Sequence, residues 1–210
     1  MFLRTLCTLL FLLSALSSQG QTTPADPAVQ PLIDQVLAAA GGKEKLLTLF
    51  RIKETFHFGA NPTPDEGKKA TVRESVLEPP KYWWLGKKER ADEPAKYDVW
   101  AWTLGVLVDP KTQVEIIPDL THEGPPLFGL SVSGTIDPAM DLYFDKETKL
   151  LSRIGWRGDY YLFSDWKEHD GYKYASRTVI YKKASGKPWF FHEITEVERL
   201  KELPAGLQRN

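Results

Sequence analysis

The pattern of apolar positions divides the chain into one helical stretch near its start and a long series of strands behind it. Within residues 26–40, apolar side chains recur every three or four positions, which is the spacing of one helix face. Asp26 precedes Pro27, and a carboxylate N-cap before a proline at the first helical position is a typical helix start. The glycines at 41–42 end this helix, and residues 43–49 predict one or two further turns.

From Phe50 onward the period of the pattern changes to that of a strand. In residues 50–58, apolar side chains alternate with polar ones, so one face is apolar and the other is solvated. In the next strand, Val72 and Val76 fall on the apolar face and Arg73 on the polar one. No helical segment separates the strands, which predicts an antiparallel sheet of about 9–11 strands rather than parallel β-α-β units. The predicted strands lie at residues 50–58, 70–76, 82–85, 97–108, 114–117, 140–144, 150–156, 160–166, 172–182 and 188–200.

The longest interruption of the alternating pattern lies at residues 118–138. This segment contains several prolines and glycines, and we interpret it as a long loop. Leu127, Phe128 and Leu130 lie within it and would be apolar residues of that loop. We take these three residues as candidates for a lid over a binding site.

These elements predict an α+β fold in which a strongly curved antiparallel β-sheet is covered by the N-terminal helix. A single sheet of this many strands must curl or split. The helix has the apolar stripe needed to cover the concave face of such a sheet. We assign the domain to residues 26–203 and interpret residues 204–210 as a C-terminal tail; the pattern contains no internal repeat and no second domain.

The first 20 residues have the three-part form of a secretory signal peptide. Arg4 supplies the positive charge, residues 5–17 are almost continuously apolar, and small residues precede a cleavage site after Gly20. As a helix the apolar run would reach about 20 Å, which is short of the ~30 Å hydrocarbon core of a bilayer. We therefore predict a signal peptide at 1–20, a linker at 21–25, and a secreted protein with no membrane anchor after cleavage.

Composition narrows the function. The 210 residues include 27 basic and 28 acidic side chains, a formal net charge of -1, with 42% hydrophobic residues. This balance is typical of one soluble globular domain, and without a basic cluster it argues against nucleic acid as a partner. The one cysteine, Cys7, lies in the signal segment, so neither a disulfide nor a cysteine-based metal centre is expected.

No catalytic or cofactor motif stands out. The chain lacks the H-E-x-x-H, G-x-S-x-G, P-loop and G-x-G-x-x-G patterns. Its histidines have no second ligand at the spacing of a metal site, so we expect no metal, no cofactor and no catalytic residue. These histidines are His57, His122, His169 and His192. A hydrolytic enzyme would have to depend on His192 or Glu193.

Large aromatic side chains are the most distinctive part of the composition. The chain has seven Trp, eight Tyr and ten Phe. One sheet with one amphipathic helix has limited means of burying so much apolar area, so we expect some of these side chains to line a cavity. The candidates for the lining of a hydrophobic ligand cavity are Trp83, Trp100, Trp102, Leu142 and Trp156.

Several segments together resemble the periplasmic lipoprotein carriers of the LolA/LolB type. They are Ala38-Ala-Ala-Gly-Gly-Lys-Glu-Lys-Leu46, Tyr97-Asp-Val-Trp100, the hairpin at 142–151, and the strand and acidic turn at 163–171. Lys149 stands in that hairpin where these relatives often have glycine.

The resemblance implies a half-barrel, which is an incomplete barrel with a hydrophobic cavity between the curved sheet and the helix. It further implies a periplasmic location and binding of a lipid or a lipoprotein acyl chain, with an envelope protein or lipoprotein as partner and no cofactor. Lipoprotein sorting would be one use of such a site. The alternative is a non-catalytic envelope scaffold or interaction protein with a filled core. An apolar cavity above about 300 Å³ would favour binding, and a packed interior would favour the scaffold.

Overall fold

The computed structural model describes residues 27–91, 94–121 and 124–209. The predicted signal peptide, the linker, the Asp26 N-cap and His122 lie outside the described residues. Within the part that is described, no helix is both long enough and apolar enough to cross a membrane.

The described residues form two α-helices and eleven strands. The helices are α1 (Val29–Ala39) and α2 (Ala95–Trp102), and each is followed by a 3-10 turn, at Lys43–Lys45 and Gly105–Val108. The strands are β1 (Phe50–Phe58), β2 (Thr71–Glu78), β3 (Tyr82–Leu85), β4 (Lys88–Glu89), β5 (Gln113–Leu120), β6 (Leu127–Ser133), β7 (Met140–Asp145), β8 (Leu151–Trp156), β9 (Asp159–His169), β10 (Tyr172–Lys182) and β11 (Pro188–Arg199).

All eleven strands belong to one open antiparallel sheet, in the order β4-β3-β2-β1-β11-β10-β9-β8-β7-β6-β5. The sheet consists of two meanders, β1–β4 and β5–β11, joined where the first strand pairs with the last. At this seam Ile52 lies opposite Val197, and Phe56 lies opposite His192. Strands β4 and β5 form the two edges and are not paired with each other. The prediction of one antiparallel sheet of about 9–11 strands is confirmed.

The face of the sheet that we call the inner face contains most of the hydrophobic core. Strand β7 shows the alternation that the sequence predicts, since Met140, Leu142 and Phe144 are buried and the residues between them are partly exposed. Helix α1 has close to its predicted bounds. Its apolar stripe belongs to the same core, through residues that include Ile33 and Val36.

Residues 97–108 form a helix and a 3-10 turn, and the prediction of a strand there is wrong. Pro94 has helical dihedral angles, φ -62° and ψ -28°, and so starts α2 in the correct conformation. Trp100, Ala101 and Trp102 are consecutive and all buried. A segment without a solvated face gives no reliable period, which is why the alternation of large and small residues was misleading.

The predicted loop at residues 118–138 contains strand β6, so the loop prediction is wrong for Leu127, Phe128 and Leu130. Their side chains are 7%, 8% and 0% exposed. They pair with β5 on one side and with β7 on the other. A strand buried on both faces shows no alternation, and Gly129 interrupts its apolar run. Moving this strand would break two ladders of hydrogen bonds, which argues against a lid formed by these three residues.

Lys149 lies in the turn between β7 and β8 and has φ 62°, in the left-handed region that favours glycine. Asp145 stabilises the same turn by accepting hydrogen bonds from the backbone of Glu147 and Thr148. The backbone hydrogen bonds from Thr148 hold the pKa of Asp145 below its ordinary value. Glycine adopts this conformation without the strain that a Cβ atom brings, so a glycine would also fit this turn position.

The end of the chain packs against the outer face of the sheet, although the sequence pattern suggested a tail. Leu49, Val76 and Trp84 form a small buried cluster there. Leu200, Leu203 and Leu207 pack against it. The indole N–H of Trp84 also donates to the carbonyl oxygen of Gln208 at 3.2 Å.

We expect Leu207→Ala to lower the free energy of unfolding by about 1–2 kcal/mol, below the full core value because this leucine is only half buried. Urea denaturation measures the change. Gln208→Ala is the matched control, because the contact to Trp84 uses the backbone carbonyl, and it should stay within about 0.5 kcal/mol of the parent. Equal effects of the two variants would show that the last residues do not stabilise the fold.

Candidate functional site

A cleft of about 480 Å³ opens on the inner face of the sheet at the seam between the two meanders. Strands β1, β10 and β11 contribute its central residues, and β2, β3, β8 and β9 contribute the flanks. Helix α2 borders the cleft through residues such as Ala95 and Val99, whereas no residue of α1 lines it. The volume lies within the range of small-molecule sites, roughly 300–1,000 Å³.

The structure places the five candidate lining residues in two environments. Trp83, Trp102 and Trp156 line the cleft. Trp100 and Leu142 are buried in the core and do not line it. Ile52, Ile180 and Ile194 complete much of the apolar surface, and none of these three was singled out from the sequence.

A buried carboxylate is the most unusual group of the cleft. Glu54 is only 2% exposed. It accepts a hydrogen bond at Oε1 from Arg73 Nε at 2.6 Å and from Ser75 Oγ at 3.3 Å. Its Oε2 lies 2.5 Å from His192 Nε2. Because three partners surround this carboxylate, the group is a connected polar network rather than an isolated buried charge.

The strand register explains how this network assembles. Glu54 of β1 and Arg73 of β2 are directly opposite in the antiparallel pairing, so both side chains lie on the inner face. On the other side of β1, the pairing with β11 shifts between Lys53 and Glu54. This bulge places Ile194 opposite Glu54 and leaves His192 one inner-face position further along the strand.

Electrostatics keep Glu54 ionised. Burial by itself raises the pKa of a carboxyl group. Here the hydrogen bonds from His192 and Arg73, together with their charges, outweigh burial and hold the pKa of Glu54 below its ordinary value. The cleft therefore contains a fixed negative charge, which the guanidinium of Arg73 and the imidazole of His192 contact.

The opposite wall of the cleft has its own polar pair. Tyr161 of β9 donates to Asp98 Oδ2 of α2 at 2.9 Å. Burial, with Asp98 as a further cause, raises the pKa of Tyr161 well above its ordinary value, so its hydroxyl remains a donor. Nearby, Lys182 lies 2.9 Å from Asp159, and the guanidinium of Arg157 lies over a tryptophan ring.

Aromatic rings continue from the cleft toward one end of the seam. Phe190 lines the cleft, and its ring centroid lies 5.6 Å from Phe56 and 5.1 Å from Phe58. Phe58 also stacks on Trp189 and is 61% exposed. This end of the cleft therefore presents an apolar rim to solvent.

The sequence contains one signal for the buried network. Glu54 stands where the alternation of β1 requires an apolar side chain, between Ile52 and Phe56. In β2 the alternation of apolar and polar residues predicts the wrong faces. Val72 is 76% exposed, and Arg73 lines the cleft. The prediction that Val72 lies on the apolar inner face is therefore wrong.

His57 and His169 do not join these residues in a metal site. His57 stacks on Phe191 at 5.0 Å, and the backbone N–H of Arg199 donates to His169 Nε2. In the described ranges, no three His, Cys, Asp or Glu side chains are grouped as metal ligands. Glu193 is exposed and does not join His192 in the cleft.

Comparison with sequences gives no assignment: no protein-family model and no curated protein matches the chain. Solved structures do match it. A LolA superfamily protein from Nitrosomonas europaea superposes with a TM-score of 0.54 at 8% identity, covering 80% of this chain and 93% of that one.

Two further solved structures give the same result. A putative outer membrane lipoprotein-sorting protein domain from Vibrio parahaemolyticus matches with a TM-score of 0.50 at 11% identity, over 83% of this chain and 93% of its own. A DUF1329 family protein from Desulfovibrio piger matches with a TM-score of 0.50 at 9% identity, over 84% and 95%. The resemblance stated from the sequence is thus confirmed at the level of the fold, and the chain has a fold of the LolA type.

Proposed function

We propose that this protein binds a hydrophobic ligand, a lipid or an acyl chain, in the cleft between α2 and the inner face of the sheet. The observation that supports this proposal most directly is the open volume of about 480 Å³ within an otherwise packed interior. Trp83, Trp102 and Trp156 supply large apolar surfaces there. Each methylene of an acyl chain that leaves water contributes about 0.8 kcal/mol before ordering costs.

The proposal includes a role as a carrier outside the cytoplasm. It is supported by the fold shared with a lipoprotein-sorting domain and by the signal peptide predicted at the start of the chain. A lipoprotein acyl chain is then one candidate cargo. No chemical step is part of the proposal, because carriage requires only binding and release.

A scaffold with a filled core is the competing function. The cleft exceeds the ~300 Å³ that separates a small-molecule site from packing defects, so its volume supports binding over the scaffold.

Titration of the mature protein with a fluorescent fatty acid tests the proposal. We expect saturable binding, read from the emission of the ligand. Ala95→Trp should weaken it by at least about tenfold, because an indole in the cleft displaces two or more methylenes of the chain. The matched control is Ala184→Trp in an exposed turn, which should bind like the parent.

Absence of saturable binding by the parent would remove the proposed function. Equal affinities of Ala95→Trp and the parent would place the ligand somewhere other than this cleft. Extraction of the purified protein and mass spectrometry of the extract identifies any ligand retained from the cell.

A further inference from the structure

The cleft contains a guanidinium group whose hydrogen-bonding capacity is mostly unused. We propose that Arg73 anchors the anionic head group, a carboxylate or a phosphate, of an amphipathic ligand whose apolar part occupies the rest of the cleft. This inference rests on the proposed function, since it assumes that an apolar chain binds there.

The donors of Arg73 support an anion site. A guanidinium has five N–H groups in a planar fork. The Nε–H of Arg73 donates to Glu54 at 2.6 Å, and in the described residues neither Nη atom has a hydrogen-bond partner. The indole N–H of Trp83 is also buried without an acceptor in the same part of the chain. That indole N–H has no exposed surface, so the donors that an anion in the cleft can reach are those of Arg73, which lines the cleft and whose side chain is partly exposed.

The guanidinium is held in position before any ligand arrives. It lies 4.7 Å from the centroid of the Phe56 ring and 5.1 Å from that of Trp83. Glu54 fixes its Nε edge, and Ser75 and His192 in turn fix Glu54. Because the side chain is already ordered, binding an anion would cost little further conformational entropy.

The distribution of charge favours an anion at this end of the cleft. Glu54 lies on the Nε side of Arg73, so the Nη edge remains the electropositive side. On the opposite wall Asp98 accepts from Tyr161, and Asp159 is paired with Lys182. Arg157 also lines that wall, over the Trp156 ring, so the two carboxylates there are balanced by two cations and the wall has no excess positive charge to offer an anion. A planar fork binds a carboxylate or phosphate in bidentate fashion, which the point charge of a lysine does not reproduce.

Competition against a fluorescent fatty acid tests the inference with amphiphiles that share one chain length. The probes are dodecanoate, dodecyl phosphate, dodecanol and dodecyltrimethylammonium. We expect the two anions to bind roughly 10- to 100-fold more tightly than dodecanol. The ratio between the two anions distinguishes a free fatty acid from a lipid phosphate as the source of the head group.

Arg73→Gln should bring the affinities for the two anions to within about threefold of the affinity for dodecanol. The affinity for dodecanol itself should stay unchanged. Retained binding of dodecanol also shows that the variant is folded. Arg153→Gln is the matched control, because Arg153 lies over the ring of Tyr160 and does not line the cleft. If Arg73→Gln fails to fold, Arg73→Lys preserves the charge and should show an intermediate preference.

The outcomes separate the two proposals. Equal affinities of the parent for dodecanoate and dodecanol, or tightest binding of dodecyltrimethylammonium, would overturn the anion site and leave the proposed function in place. Absence of saturable binding of the fluorescent fatty acid, with no direct binding of any of the four amphiphiles, would contradict the proposed function itself. A preference that survives Arg73→Gln would assign the anion to another residue.

Discussion

Gly41→Ala is expected to lower the free energy of unfolding by about 3–5 kcal/mol. A Cβ atom at this position would lie 1.9 Å from the carbonyl oxygen of Gly171, and the residue has φ +113°. The backbone cannot easily retreat, because the N–H of Lys173 donates to the carbonyl of Ala40 at 2.8 Å and fixes the end of α1 on the turn between β9 and β10. Chemical denaturation of the variant and of the parent protein under the same conditions measures the loss.

Two other glycines separate the causes of this loss. Gly67 has φ +76° with nothing within 4 Å of an added Cβ, so Gly67→Ala should show only the conformational part, about 1–2 kcal/mol. At Gly158 an added Cβ would also meet nothing within 4 Å, and Gly158→Ala should be nearly neutral. If Gly41→Ala were no more destabilising than Gly67→Ala, the close approach of α1 to the turn would be disproved.

Glu54→Gln should lower the free energy of unfolding by about 2–4 kcal/mol at neutral pH, because it removes the charge that Arg73 and His192 both contact. The effect depends on pH with a definite sign. The pKa of Glu54 is lower in the folded protein than its ordinary value of 4.5. The stabilisation is therefore complete above that ordinary value and is lost as the pH falls through the folded-state pKa.

Thermal unfolding between neutral pH and about pH 3 tests this pH dependence, and the gap between the parent and Glu54→Gln should narrow on acidification below about pH 4.5. Glu193→Gln is the control: Glu193 neighbours His192 in sequence but is exposed, and its substitution should change stability by less than about 0.5 kcal/mol. A gap that stays constant or widens in acid would mean that Glu54 is not held ionised by its partners.

Much of the fold could be predicted from local patterns. The alternation in β7 spans six consecutive residues and the helical spacing of α1 spans eleven, and both predictions agree with the structure. Two of the wrong predictions have one cause. Residues 97–108 and β6 are buried on more than one side. They therefore lack the contrast between an apolar and a polar face from which a helical or strand period is recognised in a sequence.

The candidate site was harder to predict, because its parts are brought together by pairing rather than by spacing. Aromatic character is what points to the three tryptophans of the lining in the sequence. Glu54 could have been noticed as a charged residue in an apolar position, but no sequence rule relates it to His192, which is 138 residues away. Their contact exists because β1 pairs with β11, and an antiparallel register between distant strands leaves no local signal.

The seam between the first and last strands has a consequence for the order of folding. Hairpins within β1–β4 and within β5–β11 close short loops, whereas the β1–β11 ladder must close a loop of more than a hundred residues. We therefore expect the seam to form last, after both meanders. The cleft lies on this seam, so a nascent or truncated chain that lacks β11 would have most of its hairpins and no binding site, and ligand affinity would report completion of the chain.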